Sequence, residues 1–142
     1  MKKDKLVVVA VIWTLALIVG SLSPSKFKVA VGANPAQLIP SAPHHRASPP
    51  HRFSHIMVFA VTAALYISLA RTTTGLAWGI AGAVALGVGL ETAQALVYHY
   101  HDFEWWDVRD DLIGTLIAAA AYLAVRSEIR RQGLIASSKN LR

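Results

Sequence analysis

The chain has 142 residues, 54% of them hydrophobic and 15% charged, with no cysteine and a formal charge of +6. A soluble domain carries about 25% charged residues; here the shortfall is gathered into long windows almost free of charge, as bilayer-spanning helices of about 20 apolar residues require. The lack of cysteine excludes disulfide and thiol chemistry, and the basic residues sit mainly at the ends of the apolar runs, which follows the positive-inside rule and excludes nucleic acid as a partner.

The first apolar run covers residues 6–22 and follows Lys2, Lys3 and Lys5. A secretory signal peptide begins the same way. This core is longer than a usual h-region, however, and Ser21-Leu22-Ser23-Pro24 is a poor small-x-small cleavage site, so the run reads as a retained transmembrane helix. Residues 23–52 hold all six prolines together with Lys26, Lys28, His44, His45 and Arg46. Proline removes backbone donors and stops helices, which predicts an irregular external loop, either functional or disordered.

A second span is expected over 54–71, with Ser48 or Ser54 as its cap, and a short turn at Arg71-Thr72-Thr73-Thr74 leads to a third over 75–97. In the third, Gly75, Gly79, Ala83 and Gly87 recur every four residues, and Glu91 continues the row. Small residues at that spacing let two helices approach closely in lipid and carry Glu91 into the bundle. The fourth span is expected over 108–125, with small residues from Ala118 to Ala121 in its middle.

These residues predict an all-α, polytopic fold: a single four-helix transmembrane domain over residues 1–126 and a basic cytoplasmic tail over 127–142. The cytoplasmic side would hold nine Lys and Arg (2, 3, 5, 71, 126, 130, 131, 139, 142) and the outer side five (26, 28, 46, 52, 109), which predicts both ends in the cytoplasm of a cell-membrane protein.

Six of the eight acidic residues fall between Gly89 and Gly114: Glu91, Asp102, Glu104, Asp107, Asp110 and Asp111. Under the expected topology this stretch shares the outer face with all six histidines. His51 and His55 are four apart and share a helix face, Glu91 and Gln94 are three apart, and Asp107, Asp111 and Gly114 keep the same spacing. Ionisable residues inside apolar segments are costly and mark a site or a pairing partner. Glu91 is the sharpest case, about two turns inside its helix; Arg52, Arg109 or a protonated His55 would hold it as an anion. It serves either as a buried ion pair fixing helix register or as a proton carrier, general base or headgroup ligand.

Two histidines at i, i+4 beside acids also resemble metal ligation, which makes His51 and His55 candidate ligands. No His-Glu-x-x-His is present, however, and no metal or other cofactor is expected. Ser54 beside His55 lacks a Gly-x-Ser-x-Gly elbow. Trp105, Trp106, Tyr98 and Tyr100 bracket the acidic segment, as headgroup-level anchors or as a stacking surface.

Taken in order, these motifs resemble the VanZ-like family of small membrane proteins, named for a protein linked to teicoplanin resistance. The family's Asp-Lys-x-x-His is matched by His51-Arg52-Phe53-Ser54-His55, with Phe59 where tyrosine is frequent; its Glu-x-x-Gln by Glu91-Thr92-Ala93-Gln94; and its Asp, Asn and Gly by Asp107, Asp111 and Gly114. His51 replaces the family's acid, Asp111 replaces its Asn, and His101 stands where an Arg is usual. The resemblance covers about residues 50–120 and implies a membrane protein of poorly defined activity.

Three functions are expected to compete. The first is an outer-face pocket, lined by Arg52, His55, Glu91, Gln94, Asp107 and Asp111, that binds an envelope lipid, a cell-wall precursor or a glycopeptide. The second is a membrane hydrolase or transferase with Glu91 or His55 as general base and Asp107 as a further catalytic candidate. The third is a non-catalytic assembly protein in which the same residues only pair helices.

Overall fold

The structure is a computed structural model that describes residues 3–23, 49–70, 72–97 and 103–139, with side chains to 133 in the last stretch. Those residues form four α-helices and no strand: α1 (Lys3–Leu22), α2 (Pro49–Ser68), α3 (Thr73–Val97) and α4 (Trp105–Lys139). The external loop between 24 and 48, Arg71, the segment from Tyr98 to Asp102 and the last three residues lie outside the described residues.

Three of the helices are long and apolar enough to cross a membrane: Lys3–Leu22, Thr73–Val97 and Trp105–Gly133. α2 is 20 residues long, enough for about 30 Å of helix. Its first two turns, however, carry Pro49, Pro50, His51, Arg52 and His55, and it does not join that apolar class. Prolines at its start are tolerated because a helix's first N–H groups have no intrahelical partner. Ser54 does not cap it, since its hydroxyl donates to the His51 carbonyl at 2.6 Å. α3 is capped by Thr72, whose Oγ1 accepts from the Gly75 N–H at 3.0 Å. α4 continues without a break past 126 to Lys139, so the basic segment after Arg126 begins as helix.

The small-residue row of α3 faces α2. A Cβ at Gly79 would lie 3.1 Å from the backbone of Tyr66 and Ile67, and one at Gly87 would lie 3.2 Å from the Phe59 ring. Ala83 and Glu91, in the same row, are buried. The contacts 79 to 67 and 87 to 59 run in opposite directions, so α2 and α3 are antiparallel. α2 and α4 are instead parallel, because His51 meets Asp107 and His55 meets Asp111 at a constant offset of 56 residues. The core of Ala63, Ile67, Leu76, Ala83, Ala118 and Ala119 lies among these three helices.

α1 packs on α2 and α3 through polar links that helical periodicity did not predict. The Trp13 indole donates to Thr62 Oγ1 at 2.9 Å, and Thr14 Oγ1 and Tyr66 Oη lie 2.7 Å apart. Interhelical hydrogen bonds of this kind hold helices together where lipid removes the hydrophobic drive for association. The outer surface is apolar, with Ile12, Val19, Trp78 and Leu96 all exposed, as the walls of a membrane bundle are.

Candidate functional site

His55 lies six residues after the start of α2, Glu91 six before the end of α3, and Asp111 six after the start of α4. At about 1.5 Å per residue each sits about 9 Å inside its helix end. Because α3 runs against the other two, these depths coincide at one end of the bundle. α1 ends there too: Gln94 Nε2 donates to the Ser21 carbonyl at 3.2 Å.

Two sets of charges occupy this end. In the first, one face of α4 offers Asp107 and Asp111 to one face of α2. His55 Nδ1 is 2.8 Å from Asp111 Oδ1, and its Nε2 is 3.5 Å from Asp107 Oδ2. His51 Nε2 is 3.1 Å from the same Asp107 Oδ2, and the two imidazole rings meet edge to face with centroids 4.7 Å apart. A carboxylate offers only acceptors, so His55 presents Nδ1–H to Asp111 and leaves Nε2 facing Asp107. Glu91 is buried one turn beyond Gly87, where a Cβ would lie 2.9 Å from Asp111 Oδ2. Among the described residues, Glu91 Oε2 and Asp107 Oδ1 are buried with no hydrogen-bond partner.

The second set surrounds Asp110, which is fully buried. Arg52 Nε donates to its Oδ2 at 2.9 Å, and Arg109 donates to its Oδ1 from Nε at 3.0 Å and from a terminal nitrogen at 2.6 Å. The hydrogen bond to Asp110, and then that residue's charge, raises the pKa of Arg52, which precedes the expected span, above its already high ordinary value. Arg109 also lies over the Trp106 ring at 4.5 Å, a cation–π contact. Trp105 and Trp106 are exposed.

The structure thus brings His51, His55, Glu91, Asp107 and Asp111 together and separates two expected members from them. Gln94 turns to α1, although it is three residues from Glu91. Arg52 and Arg109 do not hold Glu91, because both are committed to Asp110, and His55 makes its hydrogen bond to Asp111. Asp110 is the residue that sequence reasoning missed. Its signal was its place three residues after Asp107, which brings it near the same helix face.

No family model matches the chain, and neither a curated protein nor a solved structure matches it.

Proposed function

We propose that this chain is a VanZ-like integral protein of the cell membrane that crosses it four times with both described ends cytoplasmic, and that its polar end faces outward to bind the phosphate-bearing headgroup of an envelope amphiphile. The phosphate belongs either to a phospholipid or to a lipid-linked cell-wall precursor.

One observation carries this reading: Arg52 and Arg109 share the single carboxylate of Asp110 while their side chains remain 45% and 38% exposed. Two guanidiniums against one carboxylate leave this set with one positive charge in excess. Guanidinium donors are planar forks suited to phosphate oxygens. Trp105 and Trp106, exposed beside them, are the residue type that settles at headgroup level. Farther along the same helix pair, an open apolar groove of about 420 Å³ runs between Ala60, Val61 and Ala64 of α2 and Ala118, Ala121 and Val125 of α4, in position for an acyl or prenyl chain.

The test is native mass spectrometry of the full-length protein in detergent with added phosphatidylglycerol or polyprenyl phosphate. Retention of one of these lipids, lost in the Arg52→Ala/Arg109→Ala double variant, is expected. Equal retention of diacylglycerol, or unchanged retention by the double variant, would overturn the reading.

A further inference from the structure

We infer that His51, His55 and Asp107 form a binding site for a divalent first-row transition metal, with Glu91, buried at the same end of the bundle, as the candidate fourth ligand. The inference goes beyond headgroup binding and does not depend on it, because none of these residues belongs to the Arg52–Asp110–Arg109 set.

The donor atoms already converge. One ligand atom from each of the three residues lies within 4.8 Å of the others. Bonds of about 2.0–2.1 Å to a tetrahedral ion put neighbouring ligand atoms roughly 3.3 Å apart. The two imidazole nitrogens stand 3.1 and 3.5 Å from Asp107 Oδ2, on either side of that value. Two imidazoles and a carboxylate are a donor set suited to zinc and its neighbours. His51 and His55 reach it from one helical face and Asp107 from a second helix, so the site is assembled by the parallel packing of α2 on α4.

Two further observations separate this arrangement from a chain of simple ion pairs. First, Glu91 and Asp107 are each only 4% exposed, and each keeps a buried carboxylate oxygen with no partner among the described residues. Asp107 and Asp111 both face the two imidazoles, and Asp107 is shared by both rings through one oxygen while its other oxygen has no donor among the described residues. A buried carboxylate short of partners is costly, and a divalent ion at Asp107 offsets that charge. Second, Asp111 holds His55 through Nδ1 at 2.8 Å, which turns Nε2 toward Asp107. A carboxylate bonded to the far nitrogen of a histidine is the usual support behind a metal-ligating imidazole. Asp111 is therefore a positioning residue and His55 Nε2 the ligand.

The test is metal binding by the full-length chain, purified in detergent without phospholipid, freed of metal by a chelator, and titrated with Zn2+ and separately with Co2+. Saturation at one ion per chain is expected, with the intense visible Co2+ absorption of a tetrahedral site. His51→Asn and His55→Gln should each weaken binding at least about tenfold, whereas Glu128→Gln, at an exposed position far along α4 from Asp107, leaves it unchanged. Absence of saturable binding, or binding that survives both His51→Asn and His55→Gln, would sink the proposal. Circular dichroism monitors folding of the variants. If both fail to fold, the wild-type Co2+ spectrum decides alone: a weak, six-coordinate spectrum rejects the site. Because no phospholipid is present, a negative result leaves headgroup binding standing.

Discussion

Gly114 of α4 crosses α2 at Ile56 with no room between the two backbones. A Cβ at position 114 would fall well inside contact distance of the Ile56 carbonyl oxygen and 2.9 Å from the Ala60 nitrogen. Neither neighbour is a flexible side chain, so Gly114→Ala must push the helices apart. We expect a loss of about 1–3 kcal/mol, the usual cost of overpacking, read as a lower melting temperature in detergent. Gly89→Ala is the control. A Cβ there meets nothing within 4 Å, and alanine suits a helix interior better than glycine by up to about 1 kcal/mol. Equal effects at the two positions would contradict this crossing.

Removing the shared partner and removing one of the sharers are unequal changes. Asp110→Asn sets a buried amide N–H2 against the guanidinium donors of Arg52 and Arg109 and is expected to cost about 1–3 kcal/mol. Arg52→Ala removes a half-exposed guanidinium while Arg109 still holds Asp110, and is expected to cost under about 1 kcal/mol. Thermal melts of the two variants check the order.

Glu91→Gln preserves shape and removes charge. A register-fixing ion pair would make this change destabilising. Here Glu91 Oε2 has no partner among the described residues, so the change breaks no hydrogen bond at that oxygen and removes a buried ionisable group. Stability is expected to stay level or rise by up to about 1 kcal/mol, while Zn2+ affinity falls. A clear drop in melting temperature with Zn2+ binding intact would assign Glu91 to packing.

The proposed four-crossing topology would place Phe103 outside and Lys3 inside. The chain contains no cysteine, so single replacements Phe103→Cys and Lys3→Cys report separately. In intact cells an impermeant maleimide is expected to label position 103, and to label position 3 only after permeabilisation. Labelling of both from the same side would reject the topology and the outward-facing site with it.

Sequence alone determined the helices, the apolar exterior and the polar character of one bundle end. These are local properties: a span needs about 20 apolar residues, and the helical repeat places 51 with 55, 107 with 111, and the small row of α3 on common faces. Even the burial of Glu91 followed from the Gly75-to-Gly87 row it extends. Tertiary structure alone decided the partners. Asp110 became the hub of two guanidiniums, Gln94 turned to the end of α1, Trp13 and Thr14 bonded to α2, and Glu91 kept an oxygen with no partner among the described residues. A helical repeat says which residues share a face but not how two helices are rotated or slid against each other. That displacement is set by close backbone contacts such as Gly114 on Ile56, and it selects which acid meets which base.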